Sequence, residues 1–196
     1  MPKLQVNQLA VVRGDRTVVT GLSFAIGAGE VLHLQGRNGA GKTSVLEVLC
    51  GLRQPESGTV EGRPEAAQRH WLGHKNGLNP ALSPLENLEC WGGLNGLHIA
   101  APKEALAQAG LKAQAQRHCG LLSTGQRRRA ALARLVAVQR PWWFLDEPLA
   151  GLDAEGLVVF AQLLSAHVAD GGAAVVTSHQ SLPGEVPQLR VLRLHA

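Results

Sequence analysis

Several residue types that define particular classes of protein are scarce in this sequence. It contains no tyrosine, one methionine and three cysteines, and 17% of its residues are charged. Cys50, Cys90 and Cys119 are odd in number, lie far apart and form no C-x-x-C pair, so we expect neither a disulfide framework nor a zinc site. This cysteine pattern is typical of the reducing cytoplasm. Modest charge beside 45% hydrophobic residues argues against disorder and favours one sizeable core.

Long apolar runs are also missing. No stretch approaches the roughly 20 apolar residues that a membrane-spanning helix needs. The segment Met1-Pro2-Lys3-Leu4-Gln5 has no apolar region of the kind found in signal peptides. We therefore expect a protein that does not cross a membrane by itself.

The formal net charge is +4, which directs attention to nucleic acid as a partner. The basic residues are scattered, however, and only Arg127, Arg128 and Arg129 form a run. Scattered positive charge is equally expected of a domain that binds a polyanionic nucleotide close to an anionic membrane surface. We favour this second interpretation and expect no nucleic-acid partner.

Hydrophobic patterns divide the chain into three parts, of which the first is mostly strand, the second helical and the third alternating. The predicted strands are Leu4–Val12, Thr17–Ile26, Glu30–Gln35, Gly58–Glu61, His70–Gly73, Trp142–Leu145, Ala173–Thr177 and Leu189–Leu194. The predicted helices are Lys42 to about Cys50, a helix capped by Ser83 that Gly92 and Gly93 break after Trp91, Pro102–Ala109, Ser123–Gln139 and Ala154–Ala169. Strands that alternate with helices favour a mainly parallel sheet covered on both faces.

A glycine-rich loop follows the third predicted strand and opens a helix. Residues 36–43 read GRNGAGKT and match the phosphate-binding pattern G-x-x-x-x-G-K-[ST] in full. In such a loop, backbone N–H groups and the helix N-terminus cradle phosphates, Lys42 reaches the β- and γ-phosphates of ATP, and the Thr43 hydroxyl binds Mg²⁺. A chance glycine-rich turn is the alternative, and the complete match argues against it. The predicted phosphate-binding residues are Gly36, Arg37, Asn38, Gly39, Ala40, Gly41, Lys42, Thr43 and Ser44.

These patterns together predict the fold class and its division. We expect an α/β P-loop NTPase with a mainly parallel sheet, an N-terminal antiparallel β portion and a small inserted helical lobe. Residues 1–73 and 140–196 would form the nucleotide-binding core, and residues 74–139 the helical lobe.

Two carboxylates end the apolar strand predicted at Trp142–Leu145. Asp146 is placed to hold Mg²⁺ through water, and Glu147 to act as a general base on the attacking water. Taken alone, such a pair is as well explained by a solvated turn. The phosphate loop upstream favours the functional interpretation.

Small polar residues open the helix predicted at Ser123–Gln139. Ser123 is a candidate N-cap, and Gly125 permits close approach of another backbone. The N-terminus of this helix is therefore a second candidate surface for anions. A plain helix cap is the simpler explanation when the segment is taken alone.

Five motifs together resemble those of ABC ATPases. The phosphate loop and the acidic pair are joined by LSTGQ at 122–126, similar to the LSGGQ signature, by LAGLD at 149–153, similar to the D-loop, and by His179, similar to the switch histidine. The resemblance implies two copies arranged head to tail, with ATP between the phosphate loop of one and the signature of the other. Ser123, Gly125 and Gln126 would contact ATP held by the second copy, and His179 would contact the γ-phosphate.

Three positions depart from the family pattern. Arg13 takes the place of the aromatic residue that usually stacks on adenine, where its guanidinium plane either stacks on the base or faces solvent. His74 takes the place of the Q-loop glutamine, where an imidazole can contact Mg²⁺ or the attacking water and make that step sensitive to pH. Thr124 replaces the first signature glycine, which we expect the fold to accept if this residue keeps a negative φ.

Further details resemble one branch of this family, the ATP-binding subunits of bacterial cytochrome c maturation complexes, often described as haem exporters. They are the short chain, the sequences LGH at 72–74 and LSPLENL at 82–88, and the continuation GQRRRAALARL at 125–135. The resemblance implies a peripheral protein on the cytoplasmic face of the inner membrane with a separate integral membrane subunit. Haem would be handled only indirectly, through partners, and the sequence has no C-x-x-C-H motif.

Three alternatives stand beside this interpretation. The first is the ATPase of another small ABC exporter, which shares the same short motifs. The second is a soluble ABC ATPase acting on nucleic acid or ribosomes, a class that usually carries two ATPase units, a long coiled-coil insertion or a zinc module. The third is a phosphotransferase, which leaves the signature and the Asp146-Glu147 pair unexplained.

Overall fold

The computed structural model describes residues 3–194, which contain eight strands and five α-helices. The strands are β1 (Leu4–Arg13), β2 (Arg16–Ile26), β3 (Val31–Gln35), β4 (Ser57–Glu61), β5 (Arg69–Leu72), β6 (Trp142–Asp146), β7 (Ala173–Thr177) and β8 (Leu189–Arg193). The helices are α1 (Lys42–Leu49), α2 (Pro84–Leu94), α3 (Pro102–Gln108), α4 (Thr124–Ala137) and α5 (Ala154–Ala169). The predicted elements are confirmed, and apart from α2 their ends shift by at most about two residues, the usual uncertainty at element ends.

Two sheets make up the β structure. β2, β1 and β4 form an antiparallel sheet in that order, and β5, β6, β7, β3 and β8 form a parallel one. The two-residue turn Gly14-Asp15 joins β1 to β2, with Arg13 opposite Arg16, and Gly14 supplies the positive φ that such a tight hairpin needs. Every residue of β6 and β7 is buried, as expected for central strands of a parallel sheet.

The register of the parallel sheet determines which residues meet at its carboxyl edge. Asp146 at the end of β6 lies opposite Thr177 at the end of β7, and Thr177 in turn lies opposite Leu34 of β3. The loop after β3 and the residues after β6 and β7 therefore leave the sheet at the same edge. Ligand sites in open α/β sheets form at this edge.

The chain divides into two compact units. The first contains the described residues up to Gly73, Arg140–Pro148 and the described residues from Leu164 onward. Its core combines both sheets with α1, and Trp142 and Phe144 stack within it with ring centroids 6.0 Å apart. The second contains His74–Gln139 and Leu149–Leu163. Its core is built on α2, α3 and α4 around Leu106 and Ala133.

The segment Leu149–Leu163 groups with the second unit, whereas the sequence-based division assigned it to the nucleotide-binding core. Contacts with α4 explain the difference. Arg129 of α4 pairs with Glu155 at 3.0 Å and lies 3.8 Å from the Asp153 carboxylate. These ion pairs join residues that are far apart in the sequence, so no local sequence pattern predicts them.

The arginine run in α4 does not form an exposed basic patch. Arg128 and Arg129 are only 2% and 3% exposed. Arg128 donates to the Asn76 side chain at 3.0 Å, and Arg127 donates to the Leu122 carbonyl at 2.7 Å. The guanidinium groups of this run are therefore engaged inside the second unit.

The prediction that Gly92 and Gly93 break α2 is wrong, because the helix continues through both to Leu94. Gly92 is needed for packing. A methyl group at this position would lie 3.0 Å from the Ile99 side chain and 3.1 Å from the Leu97 carbonyl oxygen, whereas one at Gly93 would meet nothing within 4 Å. The helix ends at Leu94, and the next residue, Asn95, caps it with a side chain that donates to the Trp91 carbonyl at 2.8 Å.

Within residues 3–194, none of the helices combines the length and the apolar character required to traverse a bilayer.

The two glycines of α2 give a paired test of this packing. We expect Gly93→Ala to raise the free energy of unfolding by about 0.5–1 kcal/mol, because alanine favours the helix and its methyl group meets open space. Gly92→Ala has the same helix propensity but must displace Ile99, so it should be less stable than Gly93→Ala by about 1 kcal/mol or more. Urea unfolding of both variants measures the difference, and equal stabilities would contradict the packing role of Gly92.

Candidate nucleotide-binding and hydrolytic site

The glycine-rich loop joins β3 to the N-terminus of α1, in the arrangement that phosphate binding requires. Gly41 precedes the helix with φ of 91°, a left-handed conformation that side chains rarely adopt. A Cβ atom at Gly41 would also lie 2.8 Å from the side chain of Val19. Arg37, Asn38 and Gly39 form the exposed outer part of the loop, while Ala40 and Ser44 are buried.

Lys42 lies folded across this loop. Its ammonium group donates to the Gly36 carbonyl at 2.9 Å and lies 3.4 Å from the Arg37 carbonyl. The same nitrogen is 3.5 Å from the Glu147 carboxylate. A nearly buried positive charge is thus held between the loop and the end of β6, where phosphate oxygens can compete for its protons.

Thr43 and Asp146 form the part of the site suited to a divalent cation. The Thr43 hydroxyl lies 3.0 Å from each oxygen of the Asp146 carboxylate. One hydroxyl beside one carboxylate is a hard-oxygen donor set, and Mg²⁺ in nucleotide sites takes few protein ligands, with water and phosphate completing its shell. No group of three or more histidine, cysteine or acidic residues suited to a metal occurs in residues 3–194. The residues present therefore fit Mg²⁺ brought with a nucleotide.

Thr177 is a residue of this site that the sequence analysis did not single out. Its buried hydroxyl donates to Asp146 at 2.7 Å and accepts from the Glu147 backbone N–H at 2.9 Å. The Glu147 N–H also reaches the Thr177 carbonyl at 3.1 Å. One side chain thus fixes both carboxylate residues. The only sequence feature that pointed to Thr177 was its place at the end of β7, two residues before His179. That feature becomes informative only once the sheet register places Thr177 opposite Asp146.

Glu147 has an unusual backbone. Its φ is 47°, in the left-handed region that is uncommon for residues other than glycine. Its carboxylate meets two cationic or polar groups, Lys42 at 3.5 Å and the His179 ring nitrogen Nδ1 at 3.1 Å. Strained backbone of this kind clusters at functional sites, where surrounding contacts maintain it. Here the Thr177 contacts supply that support.

The His179 side chain is 57% exposed. The Gln180 side-chain amide approaches its second ring nitrogen at 3.3 Å. The structure therefore brings together Lys42, Thr43, Asp146, Glu147 and His179, which the sequence placed in one site from separate motifs.

The remaining candidate residues lie elsewhere in the chain. Arg13 is exposed at the β1–β2 turn, and His74 is exposed two residues beyond the end of β5. In the second unit, Ser123 caps α4: its backbone N–H donates to the Gln126 side chain at 3.0 Å, and its hydroxyl accepts from the Gln126 N–H at 3.1 Å. A Cβ atom at Gly125 would lie 2.9 Å from the Gly151 carbonyl oxygen, so only glycine fits there.

The substitution in the signature is accommodated as expected. Thr124 is the first residue of α4 and is absent from the residues with positive φ. The condition attached to this prediction, a negative φ at Thr124, is therefore met.

A phosphate loop whose lysine faces a carboxylate pair, at the carboxyl edge of a parallel sheet, defines a P-loop NTPase. The family model described as ABC transporter matches residues 19–150. The chain belongs to the ABC transporter family, as an ATP-binding subunit, and the predicted family and fold class are confirmed.

Curated relatives share most of the chain. One, named "Cytochrome c biogenesis ATP-binding export protein CcmA", from Rhodopseudomonas palustris (strain HaA2), is 42% identical over 93% of this chain and 94% of its own. Another of the same name, from Dechloromonas aromatica (strain RCB), is 42% identical over 97% of this chain and 99% of its own. A solved ABC-type ATP-binding protein from Pyrococcus furiosus superposes with a TM-score of 0.85, at 22% identity over 99% of this chain and 98% of its own. This last likeness establishes the fold.

The double role of Thr177 gives a test of the site geometry. We expect Thr177→Val to lower ATP hydrolysis about 10- to 100-fold, because loss of a partner that orients a metal-binding carboxylate typically has this effect. Thr177→Ser keeps the hydroxyl and should retain most of the activity. Steady-state phosphate release measures both, with circular dichroism as a check on folding. Similar activity in the valine and serine variants would show that the hydroxyl is not what matters.

Proposed function

We propose that this protein is the ATP-hydrolysing subunit of a membrane export complex that acts in cytochrome c biogenesis. The observation that carries the hydrolytic part is the contact of the Glu147 carboxylate with both Lys42 and His179. The biological part is supported by the relatives named for cytochrome c biogenesis export, which cover nearly the whole chain.

ATP binding is assigned to the phosphate loop and to Lys42. The N–H groups of residues 36–44 and the N-terminus of α1 surround the β- and γ-phosphates, and the Lys42 ammonium exchanges the Gly36 carbonyl for phosphate oxygens. Thr43 and Asp146 would hold Mg²⁺, Asp146 through water, and the ion would neutralise charge on the β- and γ-phosphates. Arg13, on its exposed turn, is assigned to the adenine, which it contacts through its guanidinium plane.

Hydrolysis is assigned to Glu147 and His179. Glu147 accepts a proton from the attacking water as that water bonds to the γ-phosphorus, and the bond to the β-phosphate oxygen breaks to release ADP and phosphate. His179 donates a hydrogen bond to the γ-phosphate and keeps the water aligned. The Thr177 contacts hold the Glu147 backbone in the conformation that aims its carboxylate. His74 is assigned the place of the Q-loop glutamine, beside the metal or the attacking water.

A second copy of the chain is proposed to complete each site. Ser123 and Thr124 are exposed at the N-terminus of the 14-residue helix α4, which offers Ser123, Gly125 and Gln126 to ATP held by the other copy. The two sites are then equivalent under two-fold symmetry. ATP bridges the closed dimer, and hydrolysis removes that bridge so that the dimer opens.

The dimer is proposed to dock on one or more separate integral membrane subunits at the cytoplasmic face of the bacterial inner membrane. Opening and closing would be coupled there to translocation or release. Haem would be met only by the partner subunits. This assignment is supported by the export function in the names of the relatives.

Glu147→Gln tests the general base. The amide keeps the shape and backbone of the site but cannot take a proton, so we expect kcat to fall about 10²- to 10⁴-fold with ATP binding retained. Closed dimers should accumulate, as seen by size-exclusion chromatography with ATP. Glu104→Gln, on the exposed face of α3, makes the same chemical change outside the site and should behave as the wild type. Normal hydrolysis by Glu147→Gln would refute the assignment.

The same variant tests the biological role in source cells that carry it as their only copy. The measurement is a haem stain of c-type cytochromes, with b-type haem proteins as the internal control. Loss of holocytochromes c with b-type proteins intact is the expected result. Unchanged c-type staining would indicate instead that the protein is the ATPase of another small ABC exporter.

The head-to-tail arrangement is tested by mixing two inactive variants. Lys42→Ala removes the phosphate contact of one copy, and Ser123→Arg blocks the signature that faces the other. Each variant alone should be inactive, whereas a heterodimer contains one composite site in which both residues are intact. Recovery of phosphate release on mixing is expected. Failure to recover above the sum of the separate proteins would contradict the composite site.

A further inference from the structure

A histidine lies buried in the strand that leads into the phosphate loop. His33 is the third residue of β3 and is 1% exposed. Its neighbours Val31, Leu32 and Leu34 are apolar and equally buried. An aliphatic residue would fill this position at a lower desolvation cost than imidazole. The polar ring is therefore unexpected on packing grounds alone.

Gln35, Ser178 and Glu147 are polar neighbours of His33 and lie at the carboxyl edge of the sheet. The His33 Nδ1 lies 3.4 Å from the side-chain amide of Gln35, which can donate to it. Burial lowers the pKa of His33, and the backbone of Ser178 and the charge of Glu147 oppose this only in part. The lowered pKa favours the neutral ring, and an Nδ1 that accepts from Gln35 leaves Nε2 to carry the N–H. Nε2 is buried and has no hydrogen-bond partner of good geometry.

Ser178 directly precedes the exposed His179. It is fully buried, whereas His179 directly after it is 57% exposed. The Ser178 backbone N–H donates a long hydrogen bond, 3.4 Å, to the Leu34 carbonyl. The Ser178 hydroxyl accepts from the Gln180 N–H at 2.9 Å. The segment is thus weakly tied to β3 at the point where the His33 ring lies.

We propose that His33 is a positioning residue of the hydrolytic site, whose buried Nε2–H pairs with the Ser178 backbone carbonyl as residues 178–180 take their working position. Such hydrogen bonds are often long before substrate binds and tighten in the complex. Through Ser178, the ring would hold His179 on Glu147, whose contact is 3.1 Å. The inference rests on the proposed hydrolytic function, and His33 itself touches no reacting atom.

Two substitutions separate the donor from the packing. His33→Leu fills the strand position without a donor, and His33→Gln places an amide N–H close to the position of imidazole Nε2. We expect His33→Leu to melt at or above the wild-type temperature, because it removes an unpaired buried polar atom. Its kcat should nevertheless fall about tenfold, with KM for ATP within about twofold, as for loss of an interaction made only in the transition state. His33→Gln should recover most of the kcat.

The measurements are steady-state ATP hydrolysis and thermal unfolding of the full chain, with its membrane partners wherever these are needed for wild-type turnover. Unchanged kcat in His33→Leu, or equally low kcat in the leucine and glutamine variants, would overturn the positioning role. So would a parallel loss of melting temperature and activity in the leucine variant with no recovery in the glutamine variant. Absence of hydrolysis by the wild type would instead count against the proposed function itself.

Discussion

The hydrogen bonds that converge on Asp146 are the constraint on which the site depends. Thr43 approaches this carboxylate from the phosphate loop at 3.0 Å, and Thr177 approaches it from the next strand at 2.7 Å. A buried carboxylate is tolerated only when it is hydrogen-bonded or paired, so these contacts both stabilise Asp146 and fix its orientation. The proposed cation-binding group is thereby oriented without a bound nucleotide. Pre-organisation of this kind avoids reorganisation during the reaction.

Glu147, the proposed general base, lies in a strained turn. Glu147 leaves the sheet with φ of 47°, and the same Thr177 hydroxyl that orients Asp146 holds its N–H. The carboxylate then lies between Lys42 and His179. Two adjacent acids thus acquire different surroundings, one directed at the loop threonine and one at the groups that would surround a γ-phosphate. That difference is consistent with the proposed roles, Asp146 for the metal and Glu147 for the attacking water.

Several arginines of the second unit stabilise its fold. Arg128 and Arg129 lie buried and bind Asn76 and Glu155, and Arg134 donates to the Gly77 carbonyl at 2.7 Å. The helix that begins with the signature is therefore held by charge-assisted hydrogen bonds, which are stronger than neutral ones. Arg128 and Arg129 count toward the formal net charge of +4, but they are buried and add little to the positive charge of the surface. Burial, which depends on tertiary contacts, decides whether an arginine serves a partner or the fold.

The sequence by itself determined the elements and the motifs that they carry, because hydrophobic period, caps and the phosphate-loop spacing are local properties of the chain. The positions of Lys42, Asp146 and Glu147 followed from motifs of this kind. The role of Thr177 and the burial of His33 were decided only in the tertiary structure. Both depend on the register of the parallel sheet, which pairs residues far apart in the sequence and leaves no periodic trace. The same reason explains why α2 continues through Gly92, since contact with Ile99 is a packing condition that helix propensity does not contain.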